Sequence, residues 1–227
     1  MADVYCQPNS DVLKNKLGIT NKEELAIAEA KFSFARLVGM QDKALPKNPT
    51  YDLKRLMKIH KEIFQDVYDW AGKLRTVDIA KGNYFCLKEH MQIYAISIFE
   101  DFYSNCYAHR DDKKSFVKIL SSKFADLNAL HPFREGNGRT QREFTRQLCL
   151  DCGYVLDFAD TTKQEMLNAS ILSFNKGDNT GFHKIFERSL IPKKEYEKKK
   201  AFKIKYLSEK ETPDEIAVKP KIIDYTV

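Results

Sequence analysis

Residues His131 to Arg142 read HPFREGNGRTQR, a stretch that combines an imidazole, a carboxylate, a Gly-Asn-Gly run and arginines at 139 and 142. It begins where an apolar helical run stops. A helix starting at this point presents its first, unpaired amides and the positive end of its dipole, which together bind anions. Gly136 and Gly138 let an anion approach that backbone with no Cβ in the way. Arg139 and Arg142 are three residues apart on one face of the new helix, so both guanidinium forks reach the same anion. The pattern is a cradle for a di- or triphosphate. It is not a P-loop, because G-x-x-x-x-G-K-[ST] is absent.

Two further groups give the cradle a chemistry. Glu135 offers a carboxylate oxygen to a Mg²⁺ that bridges phosphates. His131 is the one group of the set that takes up a proton near neutral pH. A base beside a polyphosphate implies attack of a hydroxyl on phosphorus, with the cradle stabilising the developing charge. The plainer reading, a helix cap with surface ion pairs and a His-Pro helix stop, leaves the interlocking of these roles without a cause.

Helices must hold this stretch. Thr20 with Glu23 forms a capping box, followed by Leu25, Ala28, Phe32 and Ala35 as one apolar face closed by Gly39. A second helix follows Asp52, with Leu53, Leu56, Ile63, Val67 and Trp70 at helical spacing until Gly72. His60, near that stripe, reads as a packed core histidine. Met91 to Tyr107 forms a third helix. Phe116, Leu120, Phe124, Leu127 and Leu130 mark a fourth, which runs into His131. Helical spacing resumes through Phe144 and Leu148 to Gly153, and Cys149 and Cys152 read as two buried thiols. Thr162 with Glu165 caps a helix through Leu167 and Ile171; Phe182, Ile185, Phe186 and Leu190 complete the core before Pro192. One stretch, Leu74 to Leu87, alternates like strands, with Gly82-Asn83 as a two-residue hairpin turn. The prediction is a mainly α bundle with a small β-hairpin, followed by a short, basic, partly extended tail.

The 227 residues, 43% hydrophobic and 12% aromatic, suffice for one domain with an appendage. No window approaches eighteen unbroken apolar residues and the first residues lack a secretory layout, so folding in a cytoplasm is expected. Five cysteines, an odd number in a chain of this size, argue for thiols over a disulfide framework. Of the net charge of +6, residues 193–227 hold +3, from ten Lys against seven Asp and Glu. The body is therefore nearly balanced, and KKEYEKKK (193–200) reads as a solvated helix or linker, which makes nucleic acid an unlikely partner.

The twelve residues match, at every fixed position, the signature H-x-F-x-[DE]-G-N-G-R-x-x-R of the Fic family. The resemblance extends to the hairpin, the family's flap, to the run from Tyr68 to Gly82, and to DVLKNKLGI near the start. It implies a Fic domain over 1–192, with 193–227 as linker and tail or the start of a second domain. The activity implied is transfer of AMP from ATP to a Ser, Thr or Tyr hydroxyl of a target protein, in a bacterial cytoplasm or, for an effector, inside a host cell. By resemblance, His131 is the general base, Phe133 anchors the loop, and Glu135 holds Mg²⁺. The amides of Gly136, Asn137 and Gly138 form the anion hole, with Asn137 touching the α-phosphate. Arg139 binds the β and γ phosphates and Arg142 the γ-phosphate. The flap, including Lys81, Gly82 and Asn83, covers the nucleotide and aligns the target by strand addition.

Relatives modify small GTPases or topoisomerase subunits, and the hairpin sequence chooses neither. Many silence themselves with [ST]-x-x-x-E-[GN]; only Thr20 with Glu24 and Thr161 with Glu165 have that spacing, followed by Leu25 and Met166. The resemblance therefore implies a small antitoxin-like inhibitor acting in trans. Alternatives are phosphate transfer, as in the Doc branch, transfer of UMP or GMP, or a non-catalytic binding module. Retention of Gly138 and Arg139 favours AMP.

Overall fold

A computed structural model of the chain describes residues 3–199. The extended tail expected beyond them lies outside the described residues, while 193–199 is helical and mostly exposed, as its charge run predicts.

The architecture is mainly helical, and its centre is α5 (Lys113–Leu130). Asp112 starts it by accepting the N–H groups of Lys114 and Ser115, which would otherwise have no partner. Phe116, Val117, Leu120, Phe124, Leu127 and Leu130 are all buried. Apolar residues on more than one face belong to a helix surrounded by others, and five helices pack on α5: α3 (Met91–Phe99), α4 (Phe102–Ala108), α6 (Asn137–Asp151), α7 (Lys163–Lys176) and α8 (Thr180–Ser189). On the far side of α6 lies α2 (Leu53–Phe64), which carries α1 (Lys22–Gln41). Each buried phenylalanine or leucine stabilises the bundle by about 1.5–3 kcal/mol.

Two antiparallel pairs complete the fold. β1 (Ala80–Lys81) pairs with β2 (Asn83–Tyr84), and β3 (Tyr154–Leu156) pairs with β4 (Leu190–Pro192), closing the ends of α6 and α8 against each other.

Several predicted boundaries move. The cap of α1 is Asn21, which accepts the Glu24 N–H, so the Thr20–Glu23 box does not form. The helix continues past Gly39, and its buried face is Leu25, Glu29, Ser33 and Leu37; Phe32 is exposed. The second helix ends at Phe64 and not at Gly72. Gly72 has φ +80, and a Cβ there would meet Lys61 Cβ at 2.7 Å; residues 65–72 fold back onto α2, which a continuing helix could not do. Met91 to Tyr107 is broken at Glu100 and Asp101, where Asp101 pairs with Lys123 of α5. The hairpin turns on Gly82 alone, at φ +84, and Asn83 is already paired with Lys81. By contrast, Asp52 and Thr162 cap α2 and α7 as predicted, each accepting the N–H three residues on.

Candidate active site

The site is built where α5 stops. His131 ends the helix in the left-handed region, φ 43 and ψ 59, a conformation that costs a non-glycine residue energy and turns the chain sharply. Its amide still bonds to Leu127 O at 3.2 Å, so the turn sits directly on the helix. The ring stacks on Phe85 of the hairpin with centroids 3.8 Å apart and planes at 17°. Nδ1 lies 3.2 Å from the carbonyl oxygen of Asn128. A carbonyl only accepts, so Nδ1 carries the proton and Nε2 keeps its lone pair. Burial, reinforced by the charges of Lys81 and Arg75, lowers the His131 pKa to about 3 against the opposing pull of the Asn128 carbonyl. At neutral pH the imidazole is therefore an empty base.

Arg75 holds this turn to the hairpin. Its guanidinium is fully buried and donates to three carbonyls: His131 O at 2.9 Å, Val77 O at 2.8 Å, and Cys86 O. Its own amide bonds to Pro132 O at 2.9 Å. One cation thus binds both stems of the hairpin to the base, with Asp78 3.7 Å away as counter-charge.

The loop after His131 is fixed from beneath. Phe133 is fully buried and stacks on His60 at 3.8 Å. Asn137 clamps the same residue, accepting the Phe133 N–H at 2.9 Å and donating to its carbonyl at 2.7 Å. Both polar ends of that side chain are thereby engaged, and what Asn137 offers an anion is its backbone amide. His60 is buried, as predicted, but it is also a strut. Its Nδ1 accepts the Gly72 N–H at 2.8 Å, so Nε2–H donates to Glu135 O at 3.0 Å. Burial lowers its pKa to about 4, which preserves this neutral form.

Gly136 caps α6 at φ +79, and a Cβ on it would fall 2.2 Å from Phe64 Cζ. Only glycine fits a backbone pressed this closely onto a ring. The Glu135 carboxylate is half exposed at the helix start and accepts the Gly136 N–H at 2.8 Å. Arg139 and Arg142 follow on α6, the first bound by Glu29 and Ser33 of α1, the second against Gly138.

These groups surround a cavity of about 640 Å³, a volume suited to a small-molecule ligand. His131, Glu135, Gly136, Asn137, Gly138, Arg139, Arg142 and Lys81 all line it. Phe133 lies below it, and Gly82 and Asn83 are at the hairpin tip and not on its wall. Asn83 instead donates to Asn175 of α7 at 2.8 Å, and Phe85 stacks on Phe174 at 4.6 Å, so the hairpin is tied across to α7. The opposite wall comes from α1 and α7, including Ala30, Phe34, Met166 and Ile171. The strands of the hairpin are exposed. Among the described residues, no group of three or more His, Cys, Asp or Glu is arranged to hold a metal. A cation at Glu135 would take its remaining oxygens from phosphates and water, the habit of Mg²⁺.

Comparison with known proteins identifies the architecture. The model of the Fic/DOC family matches residues 50–149. The protein adenylyltransferase VbhT of Bartonella schoenbuchensis is 39% identical over 173 residues, which is 76% of this chain and 36% of that protein. The probable protein adenylyltransferase y4lH of Sinorhizobium fredii is 36% identical, over 76% of this chain and 88% of its own length. The chain belongs to the Fic/DOC family. Among solved structures, the N-terminal Fic domain of a Bartonella quintana Bep effector protein, with bound ADP, superposes with a TM-score of 0.79 at 27% identity, covering 84% of this chain and 95% of that one. The BepC effector of Bartonella tribocorum, with bound AMPPNP, shares the fold at a TM-score of 0.77 and 22% identity, over 83% of this chain and 96% of that one. The chain thus spans about a third of VbhT but nearly all of the solved Fic domains.

The structure brings most of the predicted loop residues to one cavity, together with residues to which the sequence assigns no part in holding them. Glu29 and Ser33 carry no motif of their own, and Arg75 stands in the Tyr68–Gly82 run with no role attached to it. The signal for the first two was a four-residue period, Leu25-Glu29-Ser33-Leu37, that identifies the buried face of α1 better than apolar residues alone.

Proposed function

We propose that the chain is a protein adenylyltransferase, moving AMP from ATP to a Ser, Thr or Tyr hydroxyl of a target protein and releasing pyrophosphate. One observation carries this reading: a neutral imidazole with a free Nε2 shares a cavity with the first amides of α6 and with Arg139 and Arg142. The relatives named protein adenylyltransferases and the nucleotides bound in the Bartonella structures support it.

In this mechanism the triphosphate lies over the amides of Asn137 and Gly138, and over that of Gly136 once the Glu135 carboxylate that accepts it turns away, with its outer phosphates on Arg139 and Arg142. The target hydroxyl gives its proton to His131 Nε2 as its oxygen bonds to the α-phosphorus. The bond from that phosphorus to the bridging oxygen breaks, and pyrophosphate leaves with its charge held by the two guanidiniums. Glu135 would hold Mg²⁺, which supplies charge neutralisation between phosphates. The target segment adds as a strand to the exposed hairpin edge beside Lys81, Gly82 and Asn83. No helix of the described residues is long and apolar enough to cross a membrane, and the target is a protein reached in a bacterial cytoplasm or, as for the VirB-translocated relatives, in a host cell. A small antitoxin-like partner supplies an inhibitory glutamate to Arg142; added candidate partners should then lower transfer, and full autoinhibition of the isolated chain would contradict this control.

Incubation with Mg²⁺ and ATP labelled at the α-phosphate should label protein, and His131→Ala should lower the rate by about 10²–10⁴-fold. Label from the γ position would instead indicate phosphate transfer with the nucleotide reversed. No label from either, with salt-sensitive binding of nucleic acid, would indicate a binding module.

A further inference from the structure

Arg139 does not stand free at the cavity wall. Its Nη2 donates to Glu29 and its Nη1 to Ser33 Oγ at 2.8 Å, while its Cζ lies 4.7 Å from the centre of the Phe64 ring. The other Glu29 oxygen accepts the hydroxyl of Tyr68. Glu29, Ser33, Tyr68 and Phe64 are all buried. Glu29 and Ser33 are one helical turn apart on α1, which precedes the part of the chain matched by the family model.

Of the five N–H groups of a guanidinium, Glu29 and Ser33 take two; Arg139 lines the cavity with Glu135 as a looser ion-pair partner, 3.9 Å from Nη2. The two that are taken fix the plane of the fork, and Phe64 fixes its height above α2. A buried acid–base pair is weak evidence of stabilisation, because desolvating both charges offsets their attraction. Orientation is what such a pair does supply. An arginine fixed in one rotamer on folding spends little further side-chain entropy when a phosphate arrives.

We propose that Glu29, itself held by the Tyr68 hydroxyl, is a positioning residue that presets Arg139 for the outer phosphates of the nucleotide. The proposal rests on the reading of Arg139 as a phosphate ligand. Its contact differs from the inhibitory one described above, since it engages Arg139 and not Arg142, and Arg139 still lines the cavity.

The test is binding of ATP and of AMP to the full chain and to Glu29→Ala, Tyr68→Phe, Ser33→Ala and Arg139→Ala variants, with thermal unfolding of each recorded. AMP has no β or γ phosphate and serves as the internal control. Glu29→Ala should weaken ATP about tenfold and AMP by less than about twofold, and the two hydroxyl deletions should each weaken ATP about two- to threefold, the usual size of one lost orienting contact. In the Arg139→Ala background, adding Glu29→Ala should change ATP binding no further. If Glu29→Ala does not fold, the two hydroxyl variants, each missing a single oxygen, carry the same comparison. Equal loss of ATP and AMP binding, or an undiminished effect in the Arg139→Ala background, would mean a merely structural role and overturn the proposal. So would tighter ATP binding in Glu29→Ala, which would mean that Glu29 competes with phosphate. If Arg139→Ala weakens ATP and the Glu29, Tyr68 and Ser33 variants do not, this inference fails alone. If Arg139→Ala leaves ATP untouched, the phosphate reading of Arg139 fails with it.

Discussion

The two glycines of the Gly136-Asn137-Gly138 run do different physical work, and alanine at each separates them. At Gly136, alanine would have to adopt φ +79, at about 1–2 kcal/mol for a left-handed L-residue. Its Cβ would also meet Phe64 at 2.2 and 2.3 Å. Phe64 is fully buried between His60, Tyr68 and the Arg139 guanidinium and cannot swing aside, so overpacking adds about 1–3 kcal/mol. Gly136→Ala should therefore lose roughly 2–5 kcal/mol in urea unfolding, or roughly 4–20 °C in melting temperature for a chain of this length. Gly138 lies inside α6 with no positive φ, and a Cβ there meets only the Arg142 Nη1 at 3.1 Å, the far end of a long side chain. In the first turn of α6 alanine gains less than the about 0.8–1.0 kcal/mol it gains in a helix interior, which offsets part of the contact, and Gly138→Ala should stay within about 1 kcal/mol of the parent. It should nevertheless bind ATP about tenfold more weakly, because the displaced guanidinium no longer meets the outer phosphate in register. Urea titration and ATP binding on the same two variants read both effects. Equal stability of the two, or an unfolded Gly138→Ala, would refute the reasoning.

Three further outcomes follow from the same contacts. His60 and His131 have pKa values lowered to about 4 and about 3 from an ordinary 6.5. The unfolded chain therefore binds more protons below pH 6.5, and their contribution is complete above that pH and is lost as pH falls toward 4 and 3, each histidine steepening the slope by about 1.4 kcal/mol per pH unit. Urea unfolding of His60→Asn between pH 7 and 5 should show a shallower slope than the parent, and an unchanged slope would exclude His60. Arg75→Met leaves the carbonyls of His131, Val77 and Cys86 without their buried donor, so it should cost about 3–5 kcal/mol and speed hydrogen exchange at the Phe85 and Cys86 amides; slow exchange there would show that other contacts hold the hairpin. The thiols of Cys106, Cys149 and Cys152 are buried with raised pKa values, while Cys6 and Cys86 are partly exposed. A thiol reagent should modify at most two cysteines in the native chain and all five on unfolding; rapid modification of Cys149 would contradict the burial.

The helix stop at His131 and the new helix after Gly136 were legible in the sequence because their residues are consecutive: a helix stop, glycines and arginines at helical spacing determine their own geometry. Helix starts at Asp52 and Thr162 were legible for the same reason, since a cap is a local bond. What was not legible acts over distance. Arg75 serves His131 from 56 residues away, and Glu29 serves Arg139 from 110. The apolar stripe of α1 misled because its buried face carries an acid and a serine that face the site instead of oil. The end of α2 at Phe64 leaves no mark in the spacing, because Val67 and Trp70 keep a helical period while the chain doubles back to bring Gly72 against α2. Buried polar groups with distant partners leave no periodic trace.

The central claim is that the nucleotide lies with its α-phosphorus at His131 and its outer phosphates on Arg139 and Arg142. A crystal structure of the His131→Ala chain with Mg²⁺ and ATP tests it most directly. The α-phosphate should lie over the amides of residues 136–138 beside the missing imidazole, with the β and γ phosphates against α6. A nucleotide bound with its γ-phosphate at position 131, or bound outside this cavity, would contradict the account.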